Sequence, residues 1–199
     1  MRALLAVLAL ISLASGAFAE DAQVAAEAAQ PGPAKPAELR ADQLDLLFAQ
    51  LHKAGQPSGP IEEQIWALWG ASDSPTAEVL LAQARLDMED GAPAEALSIL
   101  DRLIGANPDF AEAWNKRATV YYALHDYDAS ARDIAETLKL EPRHFGALSG
   151  LGLVNIALGR YQAALTAFEM AVAHHPNLRG ARENIKNLKE ELRERETPI

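Results

Sequence analysis

Residues 143–176 read RHFGALSGLGLVNIALGRYQAALTAFEMAVAHHP, and the 34 residues ahead of them, 109–142, read DFAEAWNKRATVYYALHDYDASARDIAETLKLEP. Set one above the other, both end on proline, and Pro108 closes another copy 34 residues upstream of Pro142. Side-chain size recurs with the same period. Leu80, Trp114 and Leu148 share a large apolar column, and Ala84, Ala118 and Gly152 a small one. Ala96, Ser130 and Ala164 make a second small column, and Leu100, Ile134 and Phe168 a bulky one. A fixed period of this length marks a stack of supersecondary units rather than a single globule.

Each unit has the physics of a helix hairpin. Apolar residues recur at three- and four-residue intervals, as a buried helical stripe requires. Small residues let two antiparallel helices approach, and bulky ones fill the space around that contact. Turn residues divide each unit at Asp90-Gly91-Ala92-Pro93, His125-Asp126-Tyr127-Asp128 and Gly159-Arg160-Tyr161. The closing proline cannot continue its helix. The pattern predicts helices at Thr76–Glu89 and Ala94–Ala106, Ala111–Leu124 and Tyr127–Leu140, then Phe145–Leu158 and Tyr161–His174. One hairpin alone leaves an apolar face uncovered, so the units must stack.

These columns resemble the tetratricopeptide repeat family. Its pattern is a Trp or Leu, a small residue, a Tyr, then Ala, Phe, Ala and a terminal Pro. Trp114, Ala118, Tyr121 and Pro142 carry it in the second unit; Leu148, Leu151, Gly152, Ala164, Phe168, Ala171 and Pro176 carry it in the third. The first unit keeps Leu80, Ala84, Ala96 and Pro108, with Asp87 in place of an aromatic; Asn155 departs likewise in the third, and Thr137 replaces the usual Ala in the second. The match covers residues 75–176, in units 75–108, 109–142 and 143–176. The resemblance implies an all-α, right-handed superhelix of stacked hairpins.

Outward from this array, residues 39–74 read as a degenerate hairpin preceding the first unit. Leu46, Trp66 and Trp69 fall in apolar columns, but Gln50 and Glu62 occupy those that should be small. Helices are expected at Ala37–Ala54 and Pro60–Gly70, with the two tryptophans packed on the first full unit. At the other end, residues 177–199 hold an amphipathic helix from Leu178 to Glu196. Its narrow stripe is Ala181, Ile185, Leu188 and Leu192. Such a polar terminal helix caps a solenoid; fewer than three heptads is short for a coiled-coil seam.

The N-terminus reads as an address. Met1-Arg2 is followed by an uncharged run from Ala3 to Ala19, with small residues at Ala17 and Ala19. This is the secretory signal pattern, with cleavage expected after Ala19. At 17 residues, rich in Ala, Ser and Gly, the run sits at the short limit of the roughly 17–25 that span hydrocarbon. Stable membrane insertion after cleavage is therefore not expected, and a periplasmic or secreted location is. Residues 20–38, with Pro31, Pro33 and Pro36, form an Ala/Pro-rich spacer.

Composition excludes much chemistry. The chain has 199 residues and no cysteine, which removes disulfides, a thiol nucleophile and thiolate metal sites. A formal charge of -10 argues against a nucleic-acid partner. His52, His125, His144, His174 and His175 show no metal-ligand spacing. His125 and His144 sit in predicted turns, where solvation is the expectation, and His174-His175 suit a helix C-terminus. No nucleophile elbow or phosphate loop is present. No cofactor, no metal site and no catalytic residue is expected.

What remains is a surface. By the resemblance, the first helix of each unit lines a concave groove free to hold another molecule. Its lining would be Glu78, Leu81, Arg85 and Met88, then Glu112, Asn115, Thr119 and Tyr122, then Ser149, Leu153 and Ile156. Family members that clamp acidic chaperone tails use Lys and Asn there. Leu81 and Arg85 stand at the first pair of those positions, Gly146 and Gly150 at the last, and only Asn115 and Lys116 fit loosely. The expected function is a periplasmic adaptor or scaffold that binds a protein or peptide of the bacterial cell envelope. The alternatives are an accessory subunit of an envelope enzyme or a weak hydrolase, and an architectural homo-oligomer joined through Leu178–Glu196.

Overall fold

The computed structural model describes residues 36–53 and 58–196. The expected signal peptide and most of the spacer lie outside the described residues. Among those residues all regular structure is helical: α1 (Pro36–Leu51), α2 (Ser58–Gly70), α3 (Pro75–Glu89), α4 (Pro93–Ala106), α5 (Ala111–Ala123), α6 (Tyr127–Leu140), α7 (Phe145–Ala157), α8 (Tyr161–His174) and α9 (Arg179–Glu196). No helix among them is long and apolar enough to cross a membrane.

The repeat period sets the local geometry. Helices pair as α3 with α4, α5 with α6 and α7 with α8, and consecutive pairs stack through α4 on α5 and α6 on α7. The small columns sit where rods touch: Ala84, Ala96 and Ala164 are fully buried and Ala118 nearly so. At Gly152 an added Cβ would come within 2.6 Å of the Phe168 ring, so only glycine lets α7 and α8 close at that level. The turn inside each pair needs a left-handed residue. Gly91 (φ 72°), His125 (φ 60°) and Gly159 (φ 68°) hold the same repeat position. Glycine adopts that conformation without steric cost; His125 does not.

Caps follow the sequence. Ser74 accepts from the Ala77 N–H and Asp126 from the Ala129 N–H, closing the starts of α3 and α6. Pro75 and Pro93 sit in the first turns of α3 and α4. At the far end α9 packs on α8 and buries Ala181 and Leu188. It has the position of a cap.

One expectation is corrected. Residues 39–74 do not stack on the first unit. Helices α1 and α2 fold onto the third: Phe48, Ile65 and Trp69 share one buried cluster with Phe145, Phe168 and Leu188. Leu46, expected in an apolar column, is 65% exposed. Glu62 stands in the column that is small wherever the two helices of a unit touch, and its carboxylate instead meets His175 at the end of α8.

Candidate functional site

Helices α3, α5 and α7 adjoin one another along one side of the array. The residues expected to line this face divide into three groups. Leu81, Glu112 and Asn115 are buried and belong to the packing. Met88 and Ile156 are half-buried against the apolar clusters. Tyr122, packed on a further apolar cluster, and Ser149 are half-buried as well, while Glu78, Arg85, Thr119 and Leu153 are exposed.

The third-unit end of the groove is filled. Helix α2 lies on α5 and brings Trp66 against Gly146 of α7, where even a methyl group would run into the indole. Trp66 packs edge-on to His144 and Phe145 and takes the Lys116 ammonium over its face at 5.3 Å. Trp69 stacks flat on His144, ring centres 4.0 Å apart. The glycine at the last pair of clamp positions nearest the tryptophans thus makes room for the chain's own side chain. The groove is not free along its whole length, as the sequence had led us to expect.

Beneath Trp66 lies a buried polar network. The Glu112 carboxylate accepts from Asn115 Nδ2 at 2.9 Å and His144 Nε2 at 3.0 Å, and pairs with Lys116 Nζ at 2.9 Å. His144 Nδ1 accepts from the Ala147 N–H as the N-cap of α7, so its proton lies on Nε2, facing Glu112. Burial pushes the Glu112 carboxyl up, but the His144 hydrogen bond and the Lys116 charge outweigh it and hold it below the usual carboxylate range. His144 is wholly buried, contrary to the expectation of a solvated turn histidine. The turn lies under Trp69, which linear sequence does not reveal.

A second set of contacts pins the N-terminal helices down. Glu62 Oε2 accepts from His175 Nε2 at 3.1 Å, joining α2 to the end of α8. Arg143 pairs with Asp45 at 2.5 Å and covers the Phe48 ring at 4.6 Å. His52 places Nδ1 2.8 Å from the Phe48 carbonyl and Nε2 2.9 Å from the Ala173 carbonyl. Carbonyls only accept, so both contacts are hydrogen bonds when the ring carries two protons. These two backbone carbonyls raise the His52 pKa, against slight burial.

Beside α2 the groove stays open. A cavity of about 190 Å³ is lined by Asn115, Thr119, Tyr122, Ser149, Gly150 and Leu153, among others. The Ser149 hydroxyl is buried there without a hydrogen-bond partner. Tyr122 leans on Tyr127, ring centres 5.7 Å apart. The surroundings are apolar and small, with hydroxyl and amide groups at the edge. Among the described residues no group of three or more His, Cys, Asp or Glu side chains could hold a metal ion. The arrangement can bind; it contains no nucleophile beside a base.

Comparison with known proteins agrees with this geometry. The sequence profile of the tetratricopeptide repeat matches residues 81–124 and 115–178. A TPR repeat-containing protein of Rhizobium etli is 38% identical over 152 residues, covering 75% of this chain and 74% of that protein. DnaJ homolog subfamily C member 3 of Gallus gallus is 25% identical, but the match spans only 30% of its length. Among solved structures, the first TPR of Spaghetti bound to an HSP90 peptide superposes with a TM-score of 0.58 at 22% identity, over 60% of this chain and 95% of that one. MamA superposes with a TM-score of 0.55 at 18% identity, over 80% and 86%.

Proposed function

The chain belongs to the tetratricopeptide repeat family, and from that premise we propose that it is an exported scaffold binding one protein or peptide in the open part of its groove. The observation that carries this reading is the cavity beside α2, with Thr119, Tyr122 and Leu153 at its rim and Arg85 further along the same face. Permanent filling of the third-unit end shortens the usable groove. Each large side chain that α1 and α2 bury there is worth about 1.5–3 kcal/mol, so a ligand would not displace them as a set. The partner therefore docks next to α2 and touches it.

The ligand chemistry follows from the lining. An apolar side chain fits the cavity, and a neighbouring peptide N–H can donate to the Ser149 hydroxyl. A related structure carries an acidic HSP90 peptide. Here the positive charge of Lys116 is spent on Glu112 and Trp66, so a terminal carboxylate is not the expected anchor. Recognition is by shape and hydrogen bonding, without catalysis.

The export part of the reading rests on the Met1–Ala19 pattern and places the protein in the periplasm or outside the cell, with an envelope partner. N-terminal sequencing of protein from expressing bacteria should begin at Glu20; a start at Met1 contradicts export by cleavage. Binding is tested by photocrosslinkers installed in cells at Tyr122 or Leu153, with Gln162 on the outer surface as the control. One adduct is expected from both groove positions, and the Leu153 adduct is lost in the Arg85→Ala, Tyr122→Ala variant. Equal labelling from Gln162, or none from the groove, refutes the site.

A further inference from the structure

The stacking seams obey a rule that the first unit breaks. In α5, Ala113 and Val120 face the unit before them and are 0% and 1% exposed. In α7 the same repeat positions are Ala147 and Val154, each 1% exposed. In α3 these positions are Val79 and Leu86, and they are 68% and 52% exposed. The face keeps the apolar residues of a seam, in larger form, yet α1 and α2, which could have covered it, lie on the third unit instead. Its polar partners have changed in the same direction. Between the first two units Arg117 reaches Asp101 at 2.7 Å and Asp133 at 2.7 and 2.9 Å; one repeat earlier, Arg117 and Asp133 are replaced by Gln83 and Ile99. The arginine that ties the seam together inside the array is replaced at its edge, where Gln83 donates to Asp87 at 2.8 Å.

We infer that this leading face of α3 is an interface for a second copy of the chain, closed by a two-fold axis with the two α3 helices antiparallel. Several observations select that occupant. The opposite end of the array is covered by α9, which buries Ala181 and Leu188, so head-to-tail stacking of copies is blocked. A face that meets its own copy must then be self-complementary. The stripe Val79, Ala82, Gln83, Leu86 meets that condition, because antiparallel pairing sets each Val79 against the Leu86 of the other copy and brings the two Gln83 residues together at the axis. The stripe carries no charge in a chain of net charge -10.

Light scattering of the full chain across micromolar concentrations tests this. The expected result is twice the single-chain mass, falling to the single-chain mass in Val79→Lys, Leu86→Lys with the helical circular dichroism unchanged. The absence of native cysteine permits a second measurement. Gln83→Cys is expected to form a disulfide-linked dimer on mild oxidation, and the exposed control Gln162→Cys is not. A single-chain mass at every concentration overturns the inference, since the face is then bare or covered by the chain's own N-terminal segment. So does a dimer that survives the double lysine variant, or equal crosslinking at both cysteines.

Discussion

The first and third units share one hairpin design and differ in what surrounds them. The third is covered twice: α2 fills its groove side, and α9 closes its outer end. The first leaves Val79 and Leu86 exposed on a face that the interior units bury completely. The lesson is that a repeat supplies the pairing of its two helices, while its local stability and its availability to partners are set by its neighbours.

Trp69→Ala gives the sharpest contrast. It removes a buried indole stacked on His144, and an expected loss of about 3–5 kcal/mol in denaturant unfolding should be accompanied by faster hydrogen exchange in α7. A cost below 1 kcal/mol would mean that α2 is not core to the third unit. Next is Gly152→Leu, which forces a side chain into Phe168 and should cost roughly 1–3 kcal/mol or more. Gly105, with nothing near its Cβ direction, is the control, and Gly105→Ala should be neutral or stabilising. Equal melting of the two variants would put the repeat register in error.

Smaller effects separate the units further. His125 occupies the left-handed turn position that glycine holds in the other two units, so His125→Gly should stabilise by up to about 1 kcal/mol, less what its 2.8 Å contact with the Tyr127 hydroxyl contributes. Leu86→Ala, at the open end, should change monomer stability by no more than about 0.5 kcal/mol. The smallest expectation concerns pH. Because the His52 pKa is raised in the fold, its contribution is complete below the ordinary value of 6.5 and is lost as pH rises through the folded value. His174 nearby is shifted down, by burial first and then by Arg143 and His52, with Glu141 opposing, and so acts in the opposite sense. The difference in Tm between the parent and His52→Gln reads the His52 contribution together with its coupling to His174. It should be largest at mildly acidic pH and shrink above neutrality; a difference independent of pH contradicts the two-carbonyl geometry.

The sequence carried the fold because pairing inside a unit is local. Small columns at Ala84, Ala118 and Gly152, bulky ones at Leu100, Ile134 and Phe168, and terminal prolines place six helices almost to the residue. It carried the site only in part. Helical periodicity states which face of α2 is buried, never which neighbour buries it; the expectation that both tryptophans pack on the first unit rests on a stacked array needing a filled seam there. Two signals pointed elsewhere. Glu62 denied α2 the close pairing that a repeat hairpin has, and Gly146 left a gap on the groove face that Trp66 fills. Glu112 and Asn115 were expected to face a ligand, yet they hold His144 and Lys116 beneath Trp66. The resemblance puts them in the groove because they lie on the first helix of their unit outside its pairing columns, but here that position serves the packing of α2.

The account depends most on where α2 lies, and nuclear Overhauser contacts from the Trp66 indole test that directly. The expectation is cross-peaks to the Gly146 α-protons and the His144 ring. Contacts from Trp66 to Val79 or Leu86 of α3 instead would return α2 to the first unit and contradict the filled groove.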